Sequence, residues 1–502
     1  MLRRLIKLLA LIGLSGAIAA TFGLVALTLA THYAFQEPAI VAWSRYLMPE
    51  IRWQRSKYPS AGWAFDLIES VLVPTDPRDR FAIAETARPL TGPHSWTSDL
   101  VGPRVAGLGD APAIAEETVF VSSVEQFQAA LRTARAGLAI EVQPGIYRFS
   151  GRSLQVKQAG TAERPIVVRA AELGSVLFEF NMLEGFHVRA PHWIFENLMI
   201  DGICANDSTC EHAFHVVGDG TNVVIRNNWI TNFNAAIKVN AVRGRIPDDG
   251  RIENNAFVNH RPRLTDNPVT VLDIVAVSRW RVQKNLIADF AKARGNRISY
   301  GAFFKGGGDH NVFERNLVLC EHRLTGGTRV GFSFGNGGTK ASVCRDGRCA
   351  VEHRKGIARY NIIANCPNDV GIYLFKSAET QVHNNLLVNT RGIDLRSPES
   401  DAVITNNVID GRIMAHSGAR FSESHNVLSF VKAVLLNKVS SNIYADAEGG
   451  DFRLRDLNSF LDPGKPIEGA GPDFCGQPYD PSAPAIGPIR YSLHMSCTPV
   501  VQ

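Results

Sequence analysis

The chain has 502 residues, 45% of them hydrophobic and 20% charged, which excludes a disordered or collagen-like protein and leaves material for a large core. The formal net charge of +5 is mild. It admits an acidic partner without demanding one, and no nucleic-acid partner is expected.

Arg3, Arg4 and Lys7 precede an uncharged apolar run from Leu8 to Ala30, long enough to cross a bilayer as a helix. Ala17-Ile18-Ala19 offers a cleavage site for the competing reading, a signal peptide, but apolar residues continue well past it. The expectation is a basic end and transmembrane anchor over residues 1–35, single-pass in the inner membrane, with the rest of the chain in the periplasm; cleavage would export it. Residues 36–117 show no repeat. There Trp43, Tyr46, Leu47, Ile51 and Trp53 suggest a short amphipathic helix near the membrane, and Pro and Gly thicken from Pro89 to Pro112 as in a linker.

From Thr118 the pattern changes. Ser123 is placed to cap a helix through Phe127, Ala129, Ala130 and Leu131. Strand-like Leu138-Ala139-Ile140-Glu141-Val142, Pro144-Gly145-Ile146-Tyr147 and Pro165–Ala170 follow. An asparagine phrase then returns at Asn197, Asn228, Asn255, Asn285, Asn316, Asn361, Asn385, Asn407 and Asn426. Its clearest copies are Asn384-Asn385-Leu386-Leu387 and Asn406-Asn407-Val408-Ile409, 22 residues apart. Short period-two strands at such spacing are the signature of a β-solenoid, whose turns cannot bury their apolar side alone and so stack. An asparagine at each corner tolerates left-handed geometry and can bond to the same amide one rung away.

A second phrase gives a strand column: Phe214-His215-Val216, Ile237-Lys238-Val239, Leu272-Asp273-Ile274, Ala302-Phe303-Phe304, Phe332-Ser333-Phe334, Ile372-Tyr373-Leu374 and Ile393-Asp394-Leu395. Alternation points the middle residue of each outward, with Asn240, Lys305 and Arg396 two places further on. This polar strip could track a sugar chain, although any solenoid has a solvated face. Lys305 stands out, lying between aromatics and the Gly306-Gly307-Gly308 turn. A cationic segment follows it: Arg323, Arg329, Lys340, Arg345, Arg348, Arg354 and Lys355 against Glu321, Asp346 and Glu352. Such neighbours would lower the pKa of a lysine and hold a carboxylate. Residues 335–356 form a Gly-rich insertion inside the 45-residue gap from Asn316 to Asn361.

Sequence proximity pairs Cys204 with Cys210, Cys344 with Cys349 and Cys475 with Cys497. Cys320 and Cys366 would meet if residues 335–356 loop out and Asn316 and Asn361 occupy adjacent rungs. No Cys-x-x-Cys occurs, which argues against a cysteine zinc site or a thioredoxin-like motif.

The helix leading into Ile140-Glu141-Val142-Gln143-Pro144-Gly145-Ile146-Tyr147 resembles the cap and first rung of pectate-lyase-like right-handed parallel β-helices. Lys305-Gly306, Asn311-Val312 and Asn316 resemble the motif of the polysaccharide lyase family typified by chondroitinase B and alginate lyases. The architectural resemblance spans roughly Thr118 to Asn426. It implies an all-β fold, a single-stranded right-handed parallel β-helix (solenoid) over 118–490, with a closing segment around Asp451–Leu454 and Asp473–Gly476 and a tail over 491–502. It also implies an acidic, uronate-containing polysaccharide as partner, a monomer, and β-elimination with Lys305 as proton-abstracting base.

The catalytic candidates are Lys305, Lys238, His353 and Arg354, the last two walling the groove from the insertion. Asp273, His215, Tyr373 and Arg396 are the substrate-binding candidates. The family's calcium would be the cofactor, yet Arg297-Ile298-Ser299-Tyr300 offers no acid where its ligands lie, and Gly331-Phe332-Ser333-Phe334 stands where the family has an arginine. C5-epimerisation starts with the same proton abstraction. A non-catalytic polysaccharide-binding or envelope-organising protein is the other reading. Glycoside hydrolysis comes third, since Asp248 and Asp249 lie off the column and no other carboxylate pair stands out.

Overall fold

The computed structural model describes residues 63, 67, 68, 71, 82–83, 101–104, 115–428, 439–455 and 463–490. The apolar run at 8–30, the helix expected around Trp43–Trp53, most of the linker, the tail at 491–502 and Cys497 all fall outside them. Among the described residues no helix is long and apolar enough to cross a membrane. The chain divides into two compact units, residues 1–80 with 430–437, and residues 81–429 with 438–502. The second carries the architecture below.

Three parallel sheets of 12, 11 and 10 strands run the length of this unit, and each turn of the coil adds one strand to each. One turn comprises Trp193–Glu196, Met199–Gly202 and His212–Val217; the next comprises Val224–Arg226, Trp229–Thr231 and Ile237–Asn240. The 12-stranded sheet is called the first, the 11-stranded the second and the 10-stranded the third. Register is kept from turn to turn, with Phe195 beside Ile225, Ile200 beside Ile230 and Phe214 beside Ile237. Inward residues such as Phe186, Phe195, Phe214, Ile225, Ile237 and Ile252 are fully buried and form one continuous core. At the N-terminal end the helix Val124–Thr133 closes the coil. Ser123 caps it through the Gln126 N–H, and Phe127 meets Phe149 and Phe178 edge-on at 5.7 and 5.1 Å. That covering spares the first rung an exposed apolar mouth.

The corner between the first and second sheets divides between two consecutive residues the tasks that the sequence suggested for one. The first takes the left-handed conformation: Asn227 (φ 54°), Asn254, Lys284, Arg315, Tyr360, Asn384, Asn406 and His425. The second is the ladder asparagine. Asn285 Oδ1 accepts the Asn255 N–H at 2.9 Å, Asn316 Oδ1 accepts from Asn285 at 3.0 Å, and Asn361 Oδ1 accepts from Asn316 at 3.0 Å. Each side-chain amide also donates to the preceding turn, as Asn316 Nδ2 does to the Val282 carbonyl at 3.0 Å. Asn197 is therefore not a ladder member. It holds the left-handed position (φ 62°), and Leu198 stands in the ladder position, its N–H donating to Asn228 Oδ1.

The second sheet is apolar on both faces, with Ala256–Val258, Leu286–Ala288 and Leu317–Leu319 wholly buried. Its outer face packs against Ile443, Tyr444, Phe452, Phe474 and Ile489. The segment expected to end the coil thus lies along its flank. Asn384 Nδ2 donates to the Ala485 carbonyl at 2.6 Å, and Gly487 N–H to the Asn406 carbonyl at 2.7 Å. Three expected disulfides are formed: Cys204–Cys210, Cys344–Cys349 and Cys320–Cys366. The last confirms that Asn316 and Asn361 sit on adjacent rungs, as does the pairing of Leu317 with Ile362.

Asn316 is fully buried, so Asn316→Ala strips partners from the Asn285 N–H and the Val282 carbonyl. A loss on the order of 2–4 kcal/mol is expected from two buried unsatisfied groups. Asn426→Ala, at the half-buried end of the ladder, should cost less than half as much, read from guanidinium unfolding of both variants.

Candidate active site

The outward column of the third sheet forms as its spacing implied. His215, Lys238, Asp273, Phe303, Ser333, Tyr373 and Asp394 lie side by side in consecutive strands. Two places on, Lys305 stands beside Val275, and Arg396 beside Phe375. At roughly 4.8 Å per rung the column extends about 29 Å. It is not uniformly open, because Phe303, Ser333 and Asp394 are buried. Phe303 packs with Val275 and Ala276 under Val343 of the insertion, and the Ser333 hydroxyl donates to the Gly335 carbonyl.

The strand Ile298–Lys305 positions the lysine by a break in alternation. Gly301 and Ala302 are both turned inward, and a Cβ on Gly301 would come within 2.5 Å of the Gly331 carbonyl. The sheet bends there, leaving Tyr300 and Phe303 outside with their rings 5.8 Å apart. Lys305 Nζ sits 4.5 Å from the Phe303 ring centroid. The chain then leaves through Gly306 (φ 79°), where a Cβ would lie 2.7 Å from Val275. Burial pushes the Lys305 pKa below the ordinary lysine value; Asp273 opposes this, Lys238 adds to it and Glu352 opposes it.

Lys238 and Asp273 form a direct ion pair, and the second Asp273 oxygen is buried without a hydrogen-bond partner. Glu352, in the insertion, is buried and organises the turn after Lys305. Its carboxylate accepts the Gly306 N–H at 3.0 Å and the Thr339 hydroxyl at 2.9 Å, and its carbonyl accepts the Gly307 N–H at 2.8 Å. The sequence counted Glu352 only as one acid among many cations. Nothing in its spacing marks it.

Further along, Arg396 Nε donates to Asp394 Oδ2 at 2.8 Å, and its guanidinium lies 5.8 Å from the Tyr373 ring. Burial raises the Tyr373 pKa to about 12 and pushes Tyr300 up as well, so both hydroxyls stay protonated at neutral pH. Burial also raises Asp394 and Asp369, the latter half-buried near Tyr300 and Arg396. Asp369 was not foreseen from the sequence, since it lies in the loop before the strand Ile372–Phe375. At the opposite end, His215 Nδ1 contacts Glu184 Oε1 at 2.8 Å and Nε2 contacts Asn240 Oδ1 at 2.7 Å.

His353 does not wall the groove. It is fully buried, stacked on Phe334 at 4.3 Å, with Nε2 facing Asn311 Nδ2 at 3.0 Å. Arg354 is exposed on a separate three-stranded sheet beside Asp309 and Ala378, its closest acid being Glu379 at 3.8 Å. Three of the seven cations serve the structure, and Lys340, Arg348, Arg354 and Lys355 are exposed. Arg329 is buried and donates to the Leu324 and Gly326 carbonyls, Arg323 faces Asp289 at 3.3 Å, and Arg345 bonds Asp248. Asp249 pairs with Arg279 at 2.6 Å, so the adjacent Asp248 and Asp249 serve as arginine partners.

No cluster of carboxylates suited to calcium occurs among the described residues. Among the described residues, the groups of three metal-capable side chains are Glu184–His187–His215 and Cys344–Asp346–Cys349, and the cysteines of the second are joined to each other. Neither supplies the six to eight oxygens that calcium takes.

No protein-family profile matches the chain, and no curated protein matches its sequence. Among solved structures, pectate lyase Pel9A superposes with a TM-score of 0.52 at 14% identity, over 75% of this chain and 97% of that one. The fold is a pectate-lyase-like parallel β-helix. A rhamnogalacturonan lyase (TM-score 0.45, 11% identity, 68% and 95% covered) and a mannuronan C-5 epimerase A-module from Azotobacter vinelandii (0.42, 14%, 61% and 91%) are also similar to this β-helix.

Burial lowers the His353 pKa to about 3. The unfolded chain takes up this proton near 6.5 and the folded one only near 3, so this contribution to stability is complete above 6.5 and falls as pH drops through that window. His353→Phe, which keeps the stack on Phe334, should flatten the decline in melting temperature between pH 7 and pH 4.

Proposed function

We propose that this β-helix acts on a uronate-containing polysaccharide laid along the third sheet, by lyase-type β-elimination with Lys305 as base. Shared fold assigns no chemistry. The observation that carries the reading is Lys305 itself: an amine on the outward strip, at a bend in the sheet, with burial and a neighbouring cation both disfavouring its charged form. A neutral amine can accept the C5 proton. The C5–H electron pair then forms the C4–C5 double bond as the C4–O bond breaks.

Lys238 supplies positive charge for the uronate carboxylate, which acidifies C5–H, and Asp273 keeps Lys238 oriented. Tyr300, protonated and on the same strand as Lys305, would give its proton to the departing glycosidic oxygen. Tyr373, Asp394 and Arg396 line the strip beyond it and would bind neighbouring sugars. His353 is buried and takes no part in the reading; Arg354 contributes at most general positive charge. A C5-epimerase is the second reading, favoured by Tyr300 and Tyr373: two protonated hydroxyls on the strip would serve to return a proton to C5. The apolar run at Leu8–Ala30 would tether the β-helix to the inner membrane facing the periplasm, a compartment in which the disulfides persist.

A screen of the purified chain against alginate, pectate and glycosaminoglycans tests this. Elimination gives an ultraviolet-absorbing unsaturated end and shorter chains, whereas epimerisation in heavy water labels C5 without shortening. Binding with neither product overturns the enzyme reading.

Lys305→Ala should abolish turnover while the melting temperature stays within a few degrees, since Lys305 points outward and is no part of the apolar core. Lys238→Ala should mainly weaken substrate binding. In the active protein kcat/KM should rise with pH along a limb lying below the ordinary lysine value, where Lys305 loses its proton. Asp273→Asn removes the carboxylate that raises the Lys305 pKa and should move that limb to lower pH. An unmoved limb would take the base role away from Lys305.

A further inference from the structure

The start of the third sheet carries a cluster that the lyase reading leaves unused. The strands Glu184–Val188 and His212–Val217 are adjacent and parallel, with His187 directly beside His215. The two imidazoles meet edge to face, centroids 5.2 Å apart. Glu184 reaches both: one carboxylate oxygen lies 2.8 Å from His187 Nδ1, the other 2.8 Å from His215 Nδ1. One ligand atom from each of the three residues lies within 4.8 Å of the others, and all three side chains are about four-fifths buried.

The surroundings hold this arrangement in place. The other nitrogen of His215 is 2.7 Å from Asn240 Oδ1, and Asn240 Nδ2 donates to the Ala241 carbonyl, which fixes the amide's orientation. A histidine whose remote nitrogen is gripped by an outer oxygen is the usual supporting arrangement of a metal ligand. His212 packs behind, its ring 5.2 Å from that of His215.

We propose that Glu184, His187 and His215 form a site for a divalent transition-metal ion, zinc by its donor set. Two imidazoles and a carboxylate suit zinc and its neighbours in the first row rather than calcium or magnesium. A single dication between them would take the two Nδ1 lone pairs and a carboxylate oxygen, leaving a fourth position open. Metal–ligand bonds of about 2.0–2.1 Å place tetrahedral ligand atoms roughly 3.3 Å apart. The two 2.8 Å contacts are to different Glu184 oxygens, so for one oxygen to serve the ion one contact widens by about half an ångström while the remaining ligand pairs, now within 4.8 Å, close toward that spacing. The open position would add positive charge to the strip one rung from Lys238, the register partner of His215. The site is independent of the lyase reading, and failure of one leaves the other standing.

The test uses the full chain, stripped with a chelator and desalted, then titrated calorimetrically with zinc chloride. One equivalent should bind at micromolar affinity or better, and zinc should raise the melting temperature; calcium and magnesium chloride should do neither. His187→Gln and His215→Gln should each weaken the binding at least about 100-fold, and Asn240→Ala about 10-fold, in the range of outer-shell losses. No zinc binding, or binding that both histidine variants retain, overturns the proposal. Should a histidine variant fail to fold, the wild-type chain loaded with cobalt(II) decides. Intense visible bands of a four-coordinate ion with two imidazoles by X-ray absorption support the site, and a six-coordinate all-oxygen ion overturns it.

Discussion

The parallel register of successive turns depends on a buried column of amides. Each ladder asparagine accepts a backbone N–H from the turn before and returns a donor to a carbonyl of that same turn, so a one-residue slip anywhere would strand polar groups in the core. The residue ahead of it must turn left-handed, at about 1–2 kcal/mol for a non-glycine side chain. That position tolerates Asn, Lys, Arg, Tyr and His, because what all of them share is a backbone angle. From Asn228 to Asn426 every ladder position holds a side chain that both donates and accepts, and Leu198 marks the turn where the ladder stops.

Register then determines what the third sheet can present. Since every outward residue has a neighbour one rung away, the strip is a one-dimensional array in which charges act on each other in order. Lys238 meets Asp273, Asp273 and Lys238 together bias Lys305, and Asp394 meets Arg396. The break in alternation at Gly301 interrupts this order at one place and sets the buried Phe303 ring beneath the Lys305 amine.

Period-two alternation made the column from His215 to Asp394 legible, because inward apolar and outward polar residues repeat at each turn. The helix cap at Ser123 and the Cys320–Cys366 pairing were legible for the same local reason. The insertion was not. Its residues obey no period, so nothing in the sequence told buried His353 and Glu352 from exposed Arg354 and Lys355. Glu184 and His187 were within reach, since Phe186-His187-Val188 repeats Phe214-His215-Val216 one turn earlier. Reading the column from its first rung would have found them.

The distance along the chain between successive ladder asparagines is 27, 30, 31, 45, 24, 22 and 19 residues, yet the amides meet at the same hydrogen-bond length throughout. All the excess is paid out sideways, chiefly in residues 335–356, which a local disulfide ties to itself and Glu352 latches to the turn after Lys305. Such a coil behaves like a bookshelf, in which one volume can be exchanged without moving the rest. Selection could therefore rewrite that overhang in length and charge, generation by generation, while the amine beneath it keeps its place.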